Sequence, residues 1–496
     1  MVTKKHPLLQ RAKDSAAMLT YWDKTDTIVE GYDAVKSAQD DFLPRFAEET
    51  NKDYNIRLQL TKFTNIYRDV LEGLAAKPFQ EEIMLIGSDV PDELTRFCEN
   101  VDGAGNNLTA FTSLTFFNAI NSAVDWIMVD YPKTDSSRPL SRAAAREQGI
   151  RPYWVHVLGR NVFEVRTIMV GSNEVISYMR VFEPSNSDAP DRVRVYERPL
   201  GGGNIMWELY EENEKAEKVE DQMVLIDEGT LSIDVIPFVP LITGRREGKT
   251  FKIHPVMRDA ADLQITLYQE ESALQFIKTM AGYPMLAANG VKPEIKQDGT
   301  IEKLAVGPMK VLYSKPDGNG NHGEWKYIEP SAHSMEFLKK SIDSTKQDLR
   351  ELGRQPLTAL SSQLTTVTTS IAAGKAKSAV GAWALMLKDM LENCFALTAR
   401  YMGIDYETEV NVYTDFDNVS DTNADVDNLL QARQNGDLSQ ETLWFEMKRR
   451  KVLSPEFDAN KEREKIIDEI PSDMVLEDDY NNEDDNNDNN QNNITE

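Results

Sequence analysis

The chain has 496 residues, a formal net charge of −27 at pH 7, and 41% hydrophobic but only 8% aromatic residues. That length allows about two to four domains with cores of their own, and no apolar run approaches membrane-spanning length. The sequence offers no basic stripe of useful length to neutralise phosphates, which disfavours a tight grip on DNA.

Lys4, Lys5 and His6 precede no apolar core, so a secretory signal peptide is not expected. Leu58, Lys62, Ile66, Val70 and Leu74 recur every four residues and predict one helix face, ended by Gly73, Lys77 and Pro78. Phe111, Leu114, Phe117, Ile120 and Val124 predict a second amphipathic helix, running on through the apolar residues 126–129 until Pro132 breaks it. From residue 152 to 241 the period changes to two, in Tyr153, Val155 and Val157, then Met179 and Val181, then Val193 and Val195, then Val224 and Ile226. This stretch reads as β-rich, with residues 201–203 and 213–220 as connections.

Two helix-patterned segments follow, 255–280 and Ala332–Leu352. Their seams are Val256, Ala260, Leu263, Leu267, Leu274 and Ile277 in the first, and Leu338, Ile342, Thr345, Leu349 and Leu352 in the second. Narrow seams suit helices packed side by side. Two readings stay open, an ordinary helical hairpin inside one domain and a barrel of hairpins closed by copies of the chain. Between the helices, residues 282–330 hold short strands at 304–306, 310–313 and 325–328, too little to bury a core alone.

Residues 355–373 carry no charge but many hydroxyls, which fits a flexible surface loop or weak, interchangeable contacts with phosphates. A helix over 371–402 would be about 45–50 Å long. A strand at 410–413 and helices at 424–433 and 440–451 come next, the last capped by Ser439 and Thr442. Residues 471–496 are rich in Asn, Asp and Glu without a basic residue, which predicts disorder.

Candidates for chemistry are few. Gly244-Arg245-Arg246-Glu247-Gly248-Lys249-Thr250 follows an apolar strand but is one residue short of the phosphate-binding loop pattern. Pro255 also delays the following helix, so the loop lacks the helix amino terminus such sites use. Asp259 with Asp262, or Glu270 with Glu271, read either as acid–base or magnesium pairs or as charged flanks of an exposed helix. Cys98 and Cys394 lie far apart and argue against a disulfide framework, and His6, His156, His254, His322 and His333 form no zinc motif. The charges of the second hairpin helix read as helix-surface pairs or as rings facing a lumen.

The resemblance rests on the order helix, strand insert, helix, polar loop, long helix and terminal helices. It rests also on Asp41-Phe42-Leu43-Pro44, Tyr54-Asn55-Ile56-Arg57 up to Phe63-Thr64-Asn65, residues 73–78, and Asp102-Gly103-Ala104-Gly105. Val129-Asp130-Tyr131-Pro132 as a helix end, Ile150-Arg151-Pro152-Tyr153, residues 259–272 and residues 424–467 complete it. In these features, over about residues 41–467, the chain resembles the portal proteins of tailed bacteriophages, and within them a family of phage portal or head proteins of otherwise uncharacterised domain.

That resemblance implies an α+β, mainly helical fold. Its parts would be a wing (1–252, β-rich over 152–241), a first stem helix (253–281), a clip (282–330) and a second stem helix (331–353). A tunnel loop (354–370), a long bent wing helix with a returning strand (371–417), a helical crown (418–470) and the acidic tail (471–496) would follow. It implies a homo-oligomeric ring, usually of twelve subunits, at one capsid vertex of the virion, assembled in the host cytoplasm. Double-stranded DNA would be packaged and ejected through it, and the large terminase, a head-tail adaptor, and the major capsid and scaffolding proteins would dock on it. No cofactor, metal, catalytic residue or membrane contact is implied. By position, Glu336, Lys339, Lys340, Asp343, Lys346, Gln347 and Arg350 would line the stem channel. Ser361, Ser362, Gln363, Thr365, Thr366, Thr368 and Thr369 would form the tunnel loop, and Lys310, Tyr313, Trp325 and Tyr327 the clip interface. The alternatives are another structural head protein, such as an adaptor or scaffold-associated component, or a nucleotide hydrolase using residues 244–250.

Overall fold

A computed structural model describes residues 5–87, 89–133, 148–185, 189–199, 203–213, 215–282, 285–290, 323–328, 332–352, 366–414, 422–449 and a few positions between 452 and 465. The fold is mixed α+β. It opens with helices α1 (Lys13–Glu30), α2 (Tyr32–Ser37), α3 (Asn51–Leu60) and α4 (Ile66–Ala75). A short strand β1 (Met84–Ile86) and helices α5 (Asp92–Glu99) and α6 (Leu108–Ser122) follow.

Two of the predicted helices are corrected here. The single face read over 58–74 is two helices, because Thr61 leaves α3 in an extended conformation and Asn65 opens α4 by accepting the Arg68 amide. The second helix stops at Ser122, where Ala123 takes a left-handed backbone, and residues 124–130 form strand β2 (Val124–Asp130). A short apolar run buried on both sides has no period to distinguish it from a helix. The predicted face of α6 also drifts, since steps of three fall about 60° short of a full turn each time. Leu114 is accordingly exposed, while Phe116 and Ala119 are buried.

Strand β2 is the centre of a three-stranded antiparallel sheet, between β3 (Tyr153–Val157) and β9 (Phe238–Ile242). Trp126 faces Val157 on one side and Pro240 on the other. A five-stranded antiparallel meander runs β4 (Val162–Val170), β5 (Asn173–Glu183), β6 (Arg192–Glu197), β7 (Met206–Glu212) and β8 (Met223–Thr230). The alternation predicted for Met179, Val181, Val193 and Val195 is buried as expected, but Val224 and Ile226 lie exposed on edge strand β8. Met18, Trp22, Trp126, Met179, Tyr196 and Phe238 share one core, which joins α1 to both sheets.

After β9, the short hairpin β10 (Arg245–Arg246) and β11 (Ile253–His254) leads to α7 (Arg258–Gly282). Helix α7 begins later than the predicted 255, because the chain before it pairs as β11, and Val256 is exposed. Strands β12 (Met285–Asn289) and β13 (Glu324–Ile328) pair antiparallel, Ala288 opposite Trp325, and α8 (Ala332–Leu352) returns along α7. The segments 304–306 and 310–313 lie outside the described residues.

Helix α9 (Thr366–Met402) has 37 residues and is about 55 Å long. It starts ahead of the predicted 371, so Thr366, Thr368 and Thr369 are helical rather than part of a loop. Hydroxyl side chains suit helix starts, where the first amides lack partners, so a hydroxyl run can pass from loop into the first turns of a helix. The Trp383 indole donates to the Thr243 carbonyl (2.9 Å) and the Trp154 indole to Thr398 Oγ1 (2.9 Å), which fixes α9 to the three-stranded sheet. Phe395 of α9 completes an aromatic nest with Phe97 and Trp154. Strand β14 (Glu409–Asn411) pairs with β1, Val410 opposite Leu85.

The chain divides into two compact units, residues 1–414 and 415–496. The second contains α10 (Thr422–Gln434) and α11 (Gln440–Arg449), with the Thr442 amide donating to Ser439 Oγ (3.1 Å). Residues 471–496 lie outside the described residues.

Candidate functional site: the α7–α8 hairpin

Helix α7 buries Leu267 and Tyr268 beside polar side chains, several of which have partners in the amino-terminal bundle. Gln264 is fully buried. Its Oε1 accepts the Ile66 and Tyr67 amides (3.0 Å each) and its Nε2 donates to the Thr64 carbonyl (2.9 Å). A side chain of α7 thereby supplies acceptors that the first turn of α4 lacks. Gln269 donates to the Phe42 carbonyl (3.0 Å), and the Thr61 hydroxyl donates to Ser272 Oγ (2.9 Å). Arg57 reaches the same serine (3.4 Å) and pairs with Glu49 at 2.7 Å, the two side chains 2% and 5% exposed. The hydrogen bonds from Arg57 hold the Glu49 carboxyl below its ordinary range. Lys24 pairs with Asp262 (2.5 Å).

The acid pair Glu270 and Glu271 belongs to the same system. The Ser341 and Thr345 hydroxyls donate to the two oxygens of Glu270 (2.8 and 2.9 Å). Glu271 accepts the Thr64 amide (3.2 Å) and hydroxyl (2.7 Å) and pairs with Lys346 (3.0 Å). Neither carboxylate is an exposed helix flank. Together they link the bundle, α7 and α8, which sets the height of α8 along α7.

The predicted stem residues now have places. Ile342, Thr345 and Leu349 are buried against α7. Glu336, Lys340, Asp343, Gln347 and Arg350 form a continuous exposed stripe on the opposite face of α8, with exposed Lys339 at its edge. Lys346 leaves that stripe for Glu271. Trp325 lies on β13, half-buried, and Tyr327 stands opposite Leu286 in the strand pair. Lys310, Tyr313, Ser361, Ser362, Gln363 and Thr365 lie outside the described residues.

The phosphate-loop candidate is a turn. The amides of Gly244 and Thr250 donate to the carbonyls of Ala123 (3.1 Å) and Glu247 (3.1 Å), the Lys249 carbonyl accepts from Arg246 (2.8 Å), and α7 starts only at Arg258. A Cβ at Gly244 would stand 2.6 Å from the His254 carbonyl oxygen, so glycine there serves close packing.

A buried pair escaped the sequence reading. Asp125 on β2 is wholly buried, accepts the Gly159 amide (2.6 Å) and meets His156 Nε2. Burial pushes its carboxyl up to about 6, against the hydrogen bond from His156. No spacing marks this pair, since its members meet only across β2 and β3. Burial also raises the Cys98 thiol, to about 11, and the Cys394 thiol. Among the described residues, no group of three or more His, Cys, Asp or Glu could hold a metal, and no helix is long and apolar enough to cross a membrane.

Residues 256–402, which run from just before α7 to the end of α9, match a family described as a domain of unknown function (DUF4055). No curated protein matches the chain. Among solved structures the chain is similar to a component of the neck of an empty gene transfer agent particle, at 12% identity and a TM-score of 0.41, covering 76% of this chain and 88% of that one. It is similar also to a chain of the native gene transfer agent virion, at 10% identity and a TM-score of 0.42, covering 82% and 96%.

Proposed function

We propose that the chain is a portal-type subunit of a phage-like particle, a non-enzymatic ring component through which double-stranded DNA passes. The observation that carries this reading is the hairpin. Helix α7 is fixed almost turn by turn to its own bundle, and the face of α8 turned away from it is a continuous polar stripe. Copies standing side by side would present those stripes to one lumen.

The stripe mixes Glu336 and Asp343 with Lys340 and Arg350, so it offers passing phosphates no uniform positive field, and the acidic chain as a whole repels them. A conduit needs a surface that surrounds DNA without holding it. In this reading the strand pair β12–β13 and the segment around it are the platform for the large terminase and then the head-tail adaptor. By the same reading residues 354–370 are the part that meets the passing DNA, and residues 418–470 the part that the major capsid and scaffolding proteins contact. The ring, proposed to hold twelve copies, sits at one vertex of the virion after assembly in the host cytoplasm. ATP hydrolysis belongs to a separate motor, since residues 244–250 fold as a turn whose Gly244 and Thr250 amides already have acceptors.

Class averages of negatively stained particles test the proposal. An axial view with an open centre is expected. A mass of one polypeptide under assembling conditions, or a ring plugged on its axis by the hairpins, overturns it. The purified chain is also expected to bind no ATP, with Lys249→Ala indistinguishable from the parent in a titration.

A further inference from the structure

We infer that neighbouring copies of this chain dock through the two unlike flanks of the hairpin, Phe337 of one copy seated against Lys278 and Lys339 of the next. The inference rests on the ring reading and names the contact that closes it.

Phe337 is 68% exposed, although Ile342 and Leu349 of the same helix are buried. The side of the hairpin it occupies follows from helix geometry. The Lys346–Glu271 bridge marks one flank. Residues seven apart lie on the same side of a helix at about 100° per residue, so Lys339 shares that flank with Lys346, and Lys278 shares it with Glu271. Phe337 precedes Lys346 by nine positions, about two and a half turns, which puts it on the other flank. Asp348, exposed, falls on the Phe337 side. One flank is therefore basic, and the other carries an aromatic ring and an acid.

Their heights agree. Ser341 and Thr345 share Glu270, so residue 343 stands level with 270 in this antiparallel pair. Phe337 is then level with about residue 276, and Lys278 and Lys339 stand within about one turn of it. Copies in a closed ring are related by rotation alone, so for hairpins standing along the axis the surfaces that meet share a height. A head-to-tail contact also requires two different, complementary patches on each copy. Lys278 and Lys339 are exposed and have no ion-pair partner among the described residues. An ammonium group over an aromatic face is attracted by the ring's electron distribution, most strongly where water is excluded.

Reversing the chemistry tests this. Ring content is measured by native mass and electron microscopy at one protein concentration for the parent, Phe337→Lys, Phe337→Glu, and Phe337→Lys combined with Lys278→Glu and Lys339→Glu. Thermal melts confirm that each monomer folds. The expected result is about tenfold weaker assembly for Phe337→Lys, rings retained by Phe337→Glu through new ion pairs, and rings restored in the triple variant. A pair of cysteines, Phe337→Cys with Lys278→Cys, is expected to give a ladder of cross-linked multimers that neither single variant gives. If the parent forms rings and Phe337→Lys and Phe337→Glu behave alike, the docking inference is overturned and the ring reading stands. If the parent forms no ring, both fall.

Discussion

The two regions that meet in this chain hold together by different means. Around the three-stranded sheet the interior is largely apolar and aromatic, the buried Asp125 apart, with Phe395 of α9 packed edge to face on Phe97 and Trp154. Along α7 an apolar cluster around Tyr268 is joined by Gln264, Gln269, Glu270, Glu271 and Ser272, each bound to a particular backbone or hydroxyl group. Apolar contact is worth more per residue but tolerates sliding, whereas a buried hydrogen bond is worth little net and fails when its partner shifts. Both regions bury apolar side chains, and the polar contacts of the second set where the hairpin stands.

The sharpest way to break the comparison is Trp154→Ala, which empties the aromatic nest and removes a hydrogen bond to α9. A loss of about 3–5 kcal/mol is expected in urea unfolding. Gln264→Ala leaves two buried amides of α4 without an acceptor, for a loss of about 2–3 kcal/mol. Hydrogen exchange is expected to quicken at Ile66 and Tyr67 and to stay slow in β2; quickening in both would mean that the regions are not separate.

Asp125 tests the sheet by pH. Its folded carboxyl titrates above the ordinary value, so the folded chain binds more protons between the two. Its contribution to stability is therefore present at low pH and lost as the pH rises through about 6. Asp125→Asn keeps an acceptor for Gly159 and cannot ionise. It is expected to gain up to about 2 kcal/mol over the parent near pH 7.5, a gain that shrinks towards pH 4.5. A gain independent of pH would exclude Asp125 as the source.

Glu270→Gln retains the shape and weakens both hydroxyl contacts, for about 1 kcal/mol. The Glu271–Lys346 coupling, measured by a double-mutant cycle, is expected to be below about 1 kcal/mol because the lysine is partly solvated. Neither change should disturb the sheet.

How far these features are legible in sequence differs between the regions. The two hairpin helices, the alternating strands and the cap at Ser439 are visible because spacing and cap chemistry are local. The break between α3 and α4 is only half visible: the Asn65 cap is local, but the acceptor for the Ile66 and Tyr67 amides comes from Gln264, about two hundred positions away. Strand β2 is hidden for a related reason: burial on both sides erases the period that would reveal it. The roles of Glu270 and Glu271 could have been suspected only from their place beside the apolar seam of Leu267 and Leu274.

The sequence alone determined the acidic balance that disfavours a grip on DNA and the paired helices with their charged positions, because composition needs no fold and helical spacing depends on residues within a few turns of one another. Only the tertiary structure decided which charges are spent inside the molecule and which remain outside. Lys346 and Lys339 look equivalent in the chain, yet Lys346 reaches a carboxylate on a neighbouring helix and Lys339 stays free of any ion pair among the described residues. That distinction is set by which groups the fold brings within a few ångströms of each other.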